Sequence, residues 1–174
     1  MRGWVVVAIA LAAPVGARAQ PALDAPNVVP VTERLVTSGQ PTAEALGKLK
    51  AMGYGAVIYL APPTVSDAVR DEAMIVARQG ITYVNLPIRF DEPTGADFDA
   101  FAGVLRGLGD RKVLVHCQVN MRASTLVFLY RAAVLREDPR VAYESVSRVW
   151  TPNGPWRRLM EEELRKHEVK FEIL

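Results

Sequence analysis

The chain has 174 residues, half of them hydrophobic and 23% charged, which suits one core of ordinary domain size and excludes a disordered, collagen-like or coiled-coil chain. With 21 Lys and Arg against 19 Asp and Glu, the charge is too even for a polyanion-binding surface, so no nucleic-acid partner is expected. One Cys excludes an internal disulfide, and one Cys with two His cannot build a thiolate-rich zinc site, so neither a metal nor a cofactor is expected.

Met1-Arg2-Gly3 is a short positive start, residues 4–15 are a 12-residue apolar run, and Ala17-Arg18-Ala19 supplies small residues before Gln20. This is the pattern of a signal peptide over residues 1–19, cleaved after Ala19. The run is interrupted at Pro14 and falls short of the roughly 20 residues a spanning helix needs, so no membrane partner is expected once it is removed. Residues 20–174 then form a single domain with 19 basic and 19 acidic residues, because the leader carries away Arg2 and Arg18 and no acid. An Arg-rich, Lys-poor chain behind such a leader points to a bacterial periplasm, where an unpaired Cys is exposed to oxidation and invites a reason for being kept.

After a Pro-rich lead-in over residues 21–30 comes a short apolar stretch, Leu35-Val36-Thr37, ended by Ser38-Gly39-Gln40-Pro41. Thr42 caps a predicted helix over residues 42–52, with Leu46, Leu49 and Met52 on one side and Gly53 as its stop. Residues 56–60 are continuously apolar and read as a strand buried on both faces. Ser66 caps a second helix that carries Val69, Ala73 and Val76 and ends at Gly80. A strand over residues 81–88 follows, then the polar loop 89–95, then a helix over 96–108 with Phe98, Phe101, Leu105 and Leu108 at helical spacing. Residues 112–116 are another strand. From Met121 or Arg122 to Leu135 the chain reads as a helix apolar on all sides, with Arg131 its only interior charge, so it belongs in the middle of the protein. Two further helices surround residues 150–156. Strands alternating with helices give an α/β fold: a mainly parallel central sheet of about four strands flanked by helices.

The chemistry concentrates at the end of the last strand. His116 leads into Cys117-Gln118-Val119-Asn120-Met121-Arg122, and the buried helix opens at Ala123-Ser124. In open α/β sheets ligands bind at this edge of the strands. The helix N-terminus offers unpaired N–H groups and positive dipole, an anion cradle that also stabilises a thiolate. Arg122 brings the planar fork that grips an oxyanion in two places, and Ser124 can donate to the thiolate or to a leaving thiol. His116 is expected to orient the loop by hydrogen bonding instead of acting as a base. Trp150 and Trp156 read as core aromatics that can also wall a pocket, and residues 157–170 as a solvated helix face.

His116-Cys117 followed by Arg122 and Ser124 resembles the signature loop of the cysteine-dependent protein tyrosine and dual-specificity phosphatases. Thr37-Ser38-Gly39-Gln40-Pro41 and residues 53–60 resemble the bacterial phosphatase-like branch of that superfamily. The resemblance implies a Cys117 phosphoenzyme intermediate. It implies phosphate held by Arg122 and the loop of Gln118, Val119, Asn120 and Met121, and a phosphorylated small molecule or protein as substrate. It also implies an acid from an earlier loop that protonates the leaving oxygen. Asp91 is the acid carried over, 26 residues before Cys117 in a loop after a strand, with Asp97 or Glu92 as alternatives because the Trp-Pro-Asp of the tyrosine phosphatases is absent.

The spacing departs from the resemblance. Phosphatase loops put five residues between Cys and Arg; here there are four, the length typical of rhodanese-type sulfurtransferases, whose Cys carries a persulfide. The glycine both families favour three residues after the Cys is Asn120, the non-glycine residue type most tolerant of left-handed backbone. A sulfurtransferase or persulfide carrier, and a module that binds an anion without turnover, therefore stand beside the phosphatase reading. For export, intact mass of the protein secreted by its native host is expected to begin at Gln20; a mass retaining residues 1–19 would refute cleavage after Ala19.

Overall fold

The computed structural model describes residues 22–173, so the expected leader and its cleavage site lie outside the described residues. Five strands, β1 (Val29–Thr32), β2 (Leu35–Ser38), β3 (Ala56–Tyr59), β4 (Thr82–Asn85) and β5 (Val113–His116), form one sheet in the order β1-β2-β5-β3-β4. All pairs are parallel except the β1–β2 hairpin. The helices are α1 (Ala43–Leu46), α2 (Glu72–Ala77), α3 (Gly95–Gly107), α4 (Met121–Leu129), α5 (Pro139–Ser147) and α6 (Gly154–Lys166).

Every residue of β3 and β5 is buried, as two-sided apolar strands require. Their alternation sorts the core into two. Val57 and Leu114 face Leu46, Leu49, Val76 and Ile81 on the side of α1 and α2. Ile58, Val113 and Val115 face Phe98, Phe101, Leu126, Val127 and Trp156 on the side of α3, α4 and α6. α4 is buried from Arg122 to Leu129 and runs into a single π-helical turn, Tyr130–Val134, in which Leu135 N–H donates to Tyr130 O at 3.0 Å. Arg131 emerges in that turn, and its buried guanidinium pairs with Glu137 at 2.7 Å.

Five features differ from the sequence reading. The sheet gains a fifth strand inside the Pro-rich lead-in, because Pro30 sits in an edge strand, where a missing N–H is tolerated. The helix predicted over 42–52 stays helical only over Ala43–Leu46 and then tightens into turns with bonds such as Lys48 N–H to Ala45 O, although Leu46, Leu49 and Met52 are buried as their spacing requires. The second helix begins at Glu72, after a stretch of turns, instead of at Ser66. The strand predicted over 81–88 keeps ladder pairing only over Thr82–Asn85, and the α-helical part of the central helix ends at Leu129.

Phe128 is fully buried between Tyr143 and Phe171, with ring centroids 5.4 and 5.7 Å away. Phe128→Ala is expected to cost about 3–5 kcal/mol of stability, read as a lower urea midpoint at unchanged slope.

Candidate functional site

The strand β5 ends at His116, and the chain turns through residues 117–121 directly into α4. Cys117 is fully buried at the bend. The turn needs one residue in left-handed backbone, and Asn120 takes it, at φ 72° and ψ 0°. Its side chain gives the reason Asn stands there: Nδ2 donates to Asn27 O at 2.6 Å and to Thr37 Oγ1 at 3.0 Å. A glycine would supply the conformation and neither bond.

The loop's carbonyls are held outward. Gln40 N–H donates to Gln118 O at 2.9 Å, Asn27 Nδ2 to Val119 O at 3.0 Å, Ser124 N–H to Asn120 O at 2.9 Å, and Ser124 Oγ to Met121 O at 3.3 Å. Among the described residues no protein acceptor takes the N–H of Gln118, Val119, Met121 or Arg122. Carbonyls out and amides free at a helix N-terminus is the arrangement of an anion cradle.

Arg122 closes the cradle and is only 5% exposed. Its Nε donates to Ile88 O at 3.0 Å, one terminal nitrogen reaches Gln118 Oε1 at 3.5 Å, and the guanidinium lies 5.1 Å from the Phe90 ring centre. Trp156 Nε1 holds Phe90 O at 2.8 Å, and both Trp150 and Trp156 pack on the Phe90 ring. The two tryptophans thus wall the loop that leans on Arg122. Val119, 42% exposed, forms the open lip.

Below the cradle, His116 Nε2 meets Glu72 Oε1 at 2.7 Å, and the His116 ring stacks on Tyr59 at 4.8 Å. Burial first, and then the charges of Glu72, Asp67 and Cys117, push the Tyr59 hydroxyl up to about 12, so it stays protonated. The sequence reading missed four partners of this loop: Asn27, Gln40, Asp67 and Glu72. Asp67 accepts from Gln118 Nε2 at 2.8 Å. Only Gln40 carried a sequence signal, its place in the segment before Thr42; the others come from distant segments whose approach no local pattern encodes.

Cys117, Gln118, Val119, Asn120, Met121, Arg122 and Ser124 are brought together by the turn itself, with His116 behind them. Ser124 Oγ faces the Met121 carbonyl. Asp91 lies in the loop that Ile88 and Phe90 attach to Arg122, but both its oxygens go to Arg89, at 3.1 and 2.7 Å. The Arg89 guanidinium holds the Asp91 carboxyl below the usual carboxylate range. Asp97 is committed to capping α3 through Thr94, and Glu92 also faces Arg89, at 3.5 Å. A depression of about 480 Å3 lined by Leu35, Val113 and Arg131 is at the other end of the strands, away from the edge where open α/β sheets bind ligands.

A family model described as "DSP-PTPase phosphatase fused to NAD+ Kinase" matches residues 20–162. Among solved structures, a putative phosphatase (DUF442) from Shewanella putrefaciens CN-32 is 28% identical, with a TM-score of 0.75 over 82% of this chain and 91% of that one. Tk-PTP in its active form (TM-score 0.63, 21% identical, 84% of this chain and 99% of that one) and PTPMT1 in complex with PI(5)P (0.66, 14%, 79% and 94%) share the fold. A Xylella fastidiosa "Beta-lactamase hydrolase-like protein" is 31% identical over 106 residues, 59% of this chain and 24% of that one. The chain thus spans about a quarter of that relative's length.

The left-handed turn gives a direct test. Asn120→Ala is expected to destabilise by about 1–2 kcal/mol from the backbone alone, and further through its two lost bonds. Asn120→Gly keeps the turn and loses only the bonds. Denaturant titration is expected to rank stability wild type, then Gly, then Ala.

Proposed function

We propose that this chain, which belongs to the family of dual-specificity-type phosphatases described as fused to NAD+ kinase, is a cysteine-dependent phosphoester hydrolase working through Cys117. The observation that carries the reading is the cradle, with four outward carbonyls and unpaired amides around a buried Cys and a buried Arg. In the proposed reaction Cys117 Sγ attacks phosphorus, an S–P bond forms, and the P–O bond breaks as the leaving oxygen takes a proton. Water then attacks the phosphoenzyme and releases inorganic phosphate and the free thiol. The loop amides and Arg122 stabilise the charge on the transferring oxygens. Gln118, Val119, Asn120 and Met121 surround the phosphate. His116 stands behind the loop's entry, bonded to Glu72 and stacked on Tyr59, and Ser124 Oγ donates to the Met121 carbonyl.

Asp91 is the acid assigned to the leaving oxygen, and its pairing with Arg89 has a consequence. To serve the leaving oxygen Asp91 has to leave Arg89, an exposed pair that solvent weakens, so esters whose leaving oxygen needs little protonation are expected to be hydrolysed fastest. The substrate class that fits is an exposed phosphoester on a small molecule or protein, met in the periplasm if the leader is cleaved as its sequence suggests.

The spacing between Cys117 and Arg122 favours a second reading, sulfur transfer through a Cys117 persulfide, because a six-residue ring with one amide fewer is narrower than a tetrahedral phosphate prefers. One experiment separates the two. Purified protein is incubated with an aryl phosphate or with thiosulfate, and its intact mass is read for the adduct on Cys117. A phosphoryl adduct supports hydrolysis, a persulfide supports sulfur transfer, and neither leaves an anion-binding module.

Arg122→Lys is expected to keep the fold and lose more than about 90% of turnover on whichever substrate is used, at least about 1.4 kcal/mol, because a point charge cannot make two parallel bonds to an oxyanion. Inserting one Gly between Asn120 and Met121 restores the phosphatase spacing and is expected to raise aryl phosphate hydrolysis. A folded insertion variant slower than wild type would mean that the short ring already fits its anion.

A further inference from the structure

Glu72 is a carboxylate in the wrong place for an ordinary surface acid. It is 3% exposed, it opens α2, and neither Lys nor Arg pairs with it among the described residues. Glutamates are almost never fully buried without a partner, since desolvating the charge costs several kcal/mol. Its two oxygens are divided between two neighbours. Oε1 meets His116 Nε2 at 2.7 Å and Oε2 accepts from Gln40 Nε2 at 2.8 Å.

Both neighbours lead to the anion cradle. His116 is covalently joined to Cys117, and its carbonyl and the Cys117 N–H are tied to Leu60 and Ser38 on the flanking strands. Gln40 donates its backbone N–H to Gln118 O at 2.9 Å, the first of the outward carbonyls. A carboxylate on Nε2 keeps a proton there and fixes the ring's tautomer, while Tyr59 stacked on the ring prevents it from swinging. His116 Nδ1 and Gln40 Oε1 are buried without partners; beside its bond to Glu72 the Gln40 amide makes only a long one, from Nε2 to Pro41 O at 3.4 Å.

We propose that Glu72 is a positioning residue for the cradle, holding its entry through His116 and its first outward carbonyl through Gln40. The proposal rests on the cradle being the reactive site and is independent of whether phosphate or sulfur turns over there.

The test reads the reactivity of the chain's single Cys. Alkylation of Cys117 by iodoacetamide at pH 7 is followed by intact mass, alone and with increasing inorganic phosphate. Glu72→Leu, similar in volume but unable to accept, is expected to stay folded by circular dichroism. Its alkylation and its protection by phosphate are each expected to fall about tenfold or more, the scale of a lost charge-assisted bond. Glu72→Gln can still accept from His116 Nε2, and the Gln40 amide can turn its unpartnered oxygen toward the new donor, so this variant is expected to recover most of the loss. A merely structural role would make both variants follow their melting temperatures instead of their acceptors. A folded Glu72→Leu protein within about twofold of wild type in both measurements overturns the proposal, as does a Glu72→Gln protein that recovers nothing. If Glu72→Leu does not fold, Gln40→Met decides. It keeps the backbone bond to Gln118 and loses the donor to Glu72 together with the amide's long, 3.4 Å contact to Pro41 O, so weaker phosphate protection supports the proposal and unchanged protection overturns it. Wild-type alkylation that phosphate does not slow overturns the cradle reading itself, and the proposal with it.

Discussion

The left-handed turn at Asn120 is the constraint on which the site depends. A strand that runs straight into a helix must reverse its backbone within a few residues, and one residue at positive φ does this here. Everything chemically useful follows from it. The turn sends the carbonyls of Gln118 and Val119 outward, leaves the amides free, and starts α4 with its N-terminus against Cys117. A side chain at that position clashes or strains unless it earns compensation, and Asn120 does so by latching the loop to Asn27 and Thr37.

That latch explains why the N-terminal segment belongs to the site. Asn27 donates to Val119 O while its own carbonyl accepts from Asn120, and Pro26 O accepts from Gly39 N–H at 2.7 Å. Gly39 is the one position in this seam where a side chain has no room: a Cβ would lie 2.7 Å from Gln118 O. The Pro-rich lead-in is therefore a structural wall, with β1 closing the sheet beside it.

What the sequence made legible was whatever a local pattern encodes. Alternating two-sided strands and amphipathic helices gave the α/β order, and the strand-Cys-loop-helix unit gave the cradle because its parts are contiguous from His116 to Ser124. Residues that reach the cradle from elsewhere were invisible, since Asn27, Asp67 and Glu72 share no spacing with Cys117. Glu72 in particular lies inside the helix predicted from Ser66, where no local pattern sets it apart. Only its burial against His116 distinguishes it. The π-helical turn at Tyr130–Val134 was equally hidden; there Arg131 pairs with Glu137 and donates to the Ala142 carbonyl of α5.

The clamp and the acid loop are mechanically one piece. Arg122 Nε is held by Ile88 O, and its guanidinium lies against Phe90, which Trp156 fixes in turn through the Phe90 carbonyl. The next residues in that loop are Asp91 and Glu92, gathered around Arg89. An anion that draws the Arg122 fork toward the cradle therefore works against Ile88 and Phe90, and any shift of those two carries Asp91 with it. The coupling runs through hydrogen bonds to backbone carbonyls, which move with the chain. A surface pair such as Arg89 with Asp91, exposed and screened, is too weak to resist it. The same segment thus carries both the carbonyl that holds Arg122 and the acid proposed as the proton donor.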